Sequence, residues 1–146
     1  MNQKDYVANF LEVLEQLNSA KKHLVASFKR CSKLNKRCTE ENLIQFEALT
    51  SRFARTADIL IHKVYRSIDA VEFVEGGTLI DILNRAEKRE LIDSLSKMRI
   101  IKDLRNDIAH EYLAERLWLL HEEVMKHVPE LLDYIDRVNH YAEKYS

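Results

Sequence analysis

Arg105, Asn106 and His110 are the residues whose types and spacing could do chemistry in this chain. Their segment reads Arg105-Asn106-Asp107-Ile108-Ala109-His110-Glu111-Tyr112. A neutral histidine moves protons near pH 7. An arginine stays charged and suits a phosphodiester oxygen. The two together could cleave RNA without a metal. The imidazole would take the proton of the ribose 2′-OH or give one to the leaving oxygen. The guanidinium would neutralise charge on a phosphorane-like transition state.

On a helical wheel of about 100° per residue, Ile101, Leu104, Ile108 and Tyr112 gather on one side as a core stripe. Arg99, Asp103, Asn106 and His110 gather on the opposite side, and Arg105 lies at the edge between them. His110 and Asn106 are one turn apart, on a face that must meet water, a ligand or another subunit. Five residues along a regular helix leave Arg105 and His110 about 140° apart. A second copy of the helix supplying the opposing wall would close that gap, which calls for a two-fold dimer.

An Arg followed by a His with four to six residues between them occurs three times: Arg105–His110, Arg116–His121 and Arg55–His62. Roughly one such spacing is expected by chance. The last two lie in apolar surroundings and read as bundle positions, with His62 and His121 at buried seams. Asn106 directly after the Arg, and Tyr112 two residues after the His, set the first apart. The full string resembles the signature of the HEPN superfamily, and most closely its HepT-like branch: Arg, four residues, His, any residue, Tyr. The resemblance is strong over about Gly76 to Tyr112 and moderate for the C-terminal helix. The first seventy residues match only in being helical.

That resemblance implies a helical bundle over 1–146 that dimerises and acts as a metal-independent ribonuclease. The chain would be the toxin paired with a minimal nucleotidyltransferase antitoxin. It implies Arg105 and His110 as the catalytic pair, with Asn106 and Asp107 orienting them. Tyr112 is implied as the tyrosine to which the partner transfers AMP. A sister branch with much the same motif implies the alternative, a non-catalytic substrate-binding subunit of a nucleotidyltransferase.

The elements that must carry this segment are helices. Two Gly and one Pro in 146 residues leave little room for tight turns. A first helix is expected from about Lys4 to Leu34, with Val7, Phe10, Leu11, Leu14, Leu17, Leu24 and Phe28 as its stripe. Asn35 to Cys38 is the break, and Thr39 caps a second helix that runs to about Val74. Gly76-Gly77 is its stop. Thr78 with Asp81 opens a short helix in capping-box style. A further helix is expected from about Lys88 to Tyr112. The last starts near Ala114, where Leu117, Val124, Leu131, Val138 and Tyr145 recur every seven residues. His121, Val128, Ile135 and Ala142 recur between them, giving a bundle seam or a dimer seam. Pro129 must kink or restart that helix. The expected fold is all-α, an up-and-down bundle of four long helices plus one short helix.

Bulk properties narrow the remaining classes. A net charge of -1 argues against coating nucleic acid by charge alone. A local patch is still expected: Gln16 to Thr39 holds seven Lys or Arg and no Asp or Glu. Lys29, Arg30, Lys33, Lys36 and Arg37 are its candidates for RNA phosphates. Its alternative is a solvated face balanced by Glu122, Glu123, Glu130, Asp133, Asp136 and Glu143. Histidines and cysteines show no metal-ligand spacing, and no Gly-rich phosphate loop occurs, so no metal and no cofactor is expected. Cys31 and Cys38 read as free thiols. The sequence shows neither a secretory h-region nor a bilayer-spanning run, so a cytoplasmic location without membrane contact is expected.

Overall fold

The computed structural model describes residues 2–35, 39–74, 76–110 and 114–145, without the side chains of 114 and 115. Helix α1 spans Gln3–Ser32. Asn2 starts it with a reciprocal box: its Oδ1 accepts from the Asp5 N–H at 3.0 Å, and Asp5 Oδ2 accepts from the Asn2 N–H at 3.2 Å. Helix α2 spans Glu40–Asp58, capped by the Thr39 hydroxyl, which accepts from the Asn42 N–H. The helix then widens into a π-helical turn over Ile59–Val64 and continues as α3, Tyr65–Val71. After Gly76-Gly77, α4 spans Leu79–Lys88, α5 spans Leu95–His110 and α6 spans Ala114–Ala142. A short 3-10 turn, Glu143–Tyr145, follows α6.

Taken together, α1, α2–α3, α5 and α6 are the four long helices and α4 is the short one. No strand occurs among the described residues. Cross-helix pairs fix the directions. Gln3 reaches the Val71 carbonyl while Cys31 reaches that of Gln45, so α1 and α2–α3 are antiparallel. Asn18 and Asn139 exchange two amide hydrogen bonds of 2.9 Å, and Lys21 meets Asp136, so α1 and α6 are antiparallel as well. His121 stacks on Phe46 near the start of α2, and Tyr141 bonds Glu72 beyond the end of α3. Helices α2–α3 and α6 therefore run parallel, as an up-and-down order requires.

Residues from every helix meet in one apolar cluster. In α6, His121, Val124, Val128, Leu131, Ile135, Val138 and Ala142 are all buried. The heptad pattern is thus a seam inside the bundle. Helix α6 runs unbroken across Pro129, so no restart occurs there. Pro129 is exposed, where water can serve the carbonyl that loses its donor.

Two expected boundaries move. The second long helix ends at Val71 rather than Val74, before the two glycines. Phe73 adopts φ 58°, and the Val74 N–H reaches back to the Asp69 carbonyl at 2.9 Å. That is a Schellman closure with a phenylalanine in the left-handed position glycine usually takes. The second shift concerns the helix expected from Lys88, which starts at Leu95. Glu90, at φ 62°, closes α4 in the same way, with the Leu91 N–H on the Ala86 carbonyl. Ser94 then opens α5, its Oγ accepting from the Lys97 N–H at 3.3 Å. Gly77 keeps a separate role. At φ 97° it lies so close to Asp81 that an added Cβ would stand 2.8 Å from Oδ2 of that capping residue.

Buried charge ties α3 to α4. Asp69 is 5% exposed and accepts from Arg85 at 3.1 Å and from Arg89 at 2.6 Å. Arg89 also meets Glu72 at 3.2 Å. Both charges of Asp69's partners reach solvent in part, which lowers the cost of holding the group inside.

Candidate active site

The polar end of α5 lies as the wheel places it. Met98, Ile101 and Leu104 are buried and Ile108 is half-buried. Arg99, Asp103, Asn106, Asp107 and His110 are exposed. Helix α5 is held by its apolar stripe against α2 and α6, with α4 beside its first turns, and these polar side chains stay exposed.

Arg105 does not turn outward. Its guanidinium forms a fork on Asp58, the last residue of α2, with Nε donating to Oδ1 at 2.6 Å and Nη2 donating to Oδ2 at 2.9 Å. Asp58 thereby holds the Arg105 guanidinium more firmly protonated than usual. Both side chains remain about one-third exposed, at 34% and 35%. A bidentate fork of this kind fixes direction as well as charge. Nη1 carries two N–H groups that this fork leaves unused. Asp58 stands immediately before the π-helical turn, a local widening that often accompanies functional positions.

His110 belongs to a different recess. It lies in the last turn of α5 beside an open groove of about 300 Å³ between α5 and α6. Leu104, Leu119 and Leu120 form the apolar wall of that groove. Asp107, His110, Arg116 and Glu123 form its polar rim. The structure thus brings Asp107 and His110 to one cavity. It does not bring Arg105 there, and Asn106 is exposed without lining it. Tyr112 lies outside the described residues.

Arg116 changes its reading. Its expected place was a bundle position together with His121. Only His121 is internal, 7% exposed, stacked 3.7 Å from the Phe46 ring and bonded through Nδ1 to the Trp118 carbonyl. Arg116 is exposed on the groove. The reason is rotation: five residues apart on one helix, the two point about 140° apart. His62 likewise departs from its expected buried seam. It is exposed on the outer side of the π-helical turn.

Sequence reasoning missed Asp58, which is 47 residues from its partner. One signal was present: between Glu47 and Asp69 it is the sole acidic residue of that helix.

Lys29 and Arg30 are exposed on the last turn of α1, and Lys33 is exposed directly after it. Lys36 and Arg37 lie outside the described residues. Of the acidic positions on α6, Asp136 pairs with a lysine of α1, Lys21, at 2.9 Å. Asp133 and Glu123 instead pair within α6, with Arg137 and Lys126.

Among the described residues no group of His, Cys, Asp and Glu gathers as metal ligands would. Cys31 is a free, buried thiol, and burial pushes its pKa up. Cys38 lies outside the described residues. No described helix is long and apolar enough to cross a membrane. No protein-family model, curated protein or solved structure matches the chain.

Proposed function

We propose that the chain is a metal-independent RNA endonuclease of the HEPN type. In this reading it is a cytoplasmic toxin that works as a homodimer and is silenced by a minimal nucleotidyltransferase. The observation that carries the proposal is His110 on an uncovered helix face, beside a groove open to solvent. His110 takes the proton of a ribose 2′-OH, and the oxygen attacks the adjacent phosphorus. The P–O5′ bond breaks, the leaving oxygen takes up a proton, and a 2′,3′-cyclic phosphate remains. Arg105, steadied by Asp58, offers its free Nη1 edge to the transition-state charge from the opposing copy. Asn106 and Asp107 orient the groups around them, and Tyr112 is the target of AMP transfer.

A second reading is favoured by one observation. Arg105 and His110 do not share a recess within a protomer. On that reading the chain is a non-catalytic substrate-binding subunit of a nucleotidyltransferase.

RNA incubated with purified protein in chelator separates the two. Wild type is expected to cleave, and His110→Ala to lose at least about a hundredfold in rate with its helix content intact. A wild type that leaves RNA whole but co-purifies with a nucleotidyltransferase establishes the second reading and removes the first.

A further inference from the structure

The groove that holds His110 has its own cation, and it is not the arginine of the Arg105–Tyr112 string. Arg105 commits Nε and one Nη2 N–H to Asp58 across the α2–α5 contact. Arg116 lines the groove with His110, is exposed, and makes no ion pair among the described residues. Its position is also unhelpful to the fold. A cation near the start of a helix opposes the helix dipole, which favours negative charge there. Neither carboxylate on the rim relieves it, because Glu123 is engaged by Lys126 at 3.0 Å and Asp107 is not within ion-pair distance.

The rest of the groove suits one nucleotide unit of a strand. Leu119 is 53% exposed and, with Leu104 and Leu120, offers an apolar wall to a base or ribose face. Asp107 offers an acceptor to a base amino group or a ribose hydroxyl. A phosphate suits the rim, which carries the His110 imidazole and an Arg116 guanidinium that makes no ion pair among the described residues.

We propose that Arg116 is the same-chain phosphate-binding residue of the His110 groove, holding an RNA phosphate next to the bond that His110 acts on. This rests on the ribonuclease reading for the identity of the ligand. Arg116 is a positioning residue: it fixes the strand, while proton transfer stays with His110.

The test measures RNA binding and RNA cleavage separately, with a single-stranded oligonucleotide in chelator across a salt series. Arg116→Gln is expected to raise KM about tenfold while kcat stays within about twofold. The slope of log affinity against log salt should fall by about one, the signature of one lost phosphate contact. Arg116→Lys should restore the slope, since it keeps the charge. An Arg116→Gln protein with wild-type affinity and wild-type slope overturns the inference, whatever happens to cleavage. A wild type that binds RNA with the Arg116-dependent slope but never cleaves supports the inference and retires the nuclease. A wild type that does not bind RNA overturns both.

Discussion

At the scale of single residues, Arg105 shows how a side chain at a boundary is decided. Its wheel position left it between core and solvent, and a fork from Asp58 settled the choice at a cost of only partial desolvation. The exposure of Asn106, Asp107 and His110 was legible because it depends only on local helical phase. The Arg105–Asp58 partnership was not, because it depends on how two helices 47 residues apart come to lie side by side. Asp93 carries a testable electrostatic consequence. The Tyr134 hydroxyl donates to its carboxylate at 2.7 Å and Lys97 at 3.0 Å, and together they hold its pKa down at about 2. In the unfolded chain the group returns to its ordinary 3.8, so the unfolded state takes up the proton first. Stability from this site is therefore complete above that ordinary value and is lost as pH falls from 3.8 toward about 2. Urea midpoints followed through that interval should fall less steeply for Asp93→Asn than for wild type. Parallel curves would show that Asp93 has no such linkage.

At the scale of elements, capping chemistry explains both what could be read and what could not. The Thr39 cap and the Thr78–Asp81 box sit where the residue types place them. The ends of α3 and α4 do not announce themselves, since Phe73 and Glu90 occupy positions normally given to glycine. Residue type carries no warning in such a case. The closures show instead in the backbone, in the Val74-to-Asp69 and Leu91-to-Ala86 hydrogen bonds, and the second of them is why α5 begins at Leu95 rather than Lys88. Glu90 is exposed, and its left-handed backbone is strained for any side chain. Glu90→Gly should raise stability by about 0.5–1 kcal/mol, the relief of strain less the added freedom of the unfolded chain. Chemical denaturation would measure it, and an unchanged or lower midpoint would show that the strain is absorbed elsewhere.

At the scale of the whole molecule, the all-α class and the four-plus-one helix count were legible because hydrophobic period and glycine scarcity both point to them. Whether the α6 seam faced inward or toward another copy was not, because the same period serves both. The π-helical turn was invisible for a related reason: it changes the local winding without changing residue types. That turn has a consequence for chain length. A π turn accommodates one residue more than an α turn, so it acts as slack taken up within an otherwise continuous rod. Deleting exposed His62 should let Ile59–Val64 rewind to ordinary pitch, with Asp58 and Asp69 still aimed at their arginines. Thermal unfolding of that deletion should stay cooperative. The same deletion at Thr50 would swing everything beyond it by about 100° and scatter the core. If both deletions unfold alike, the turn is no reservoir of spare length.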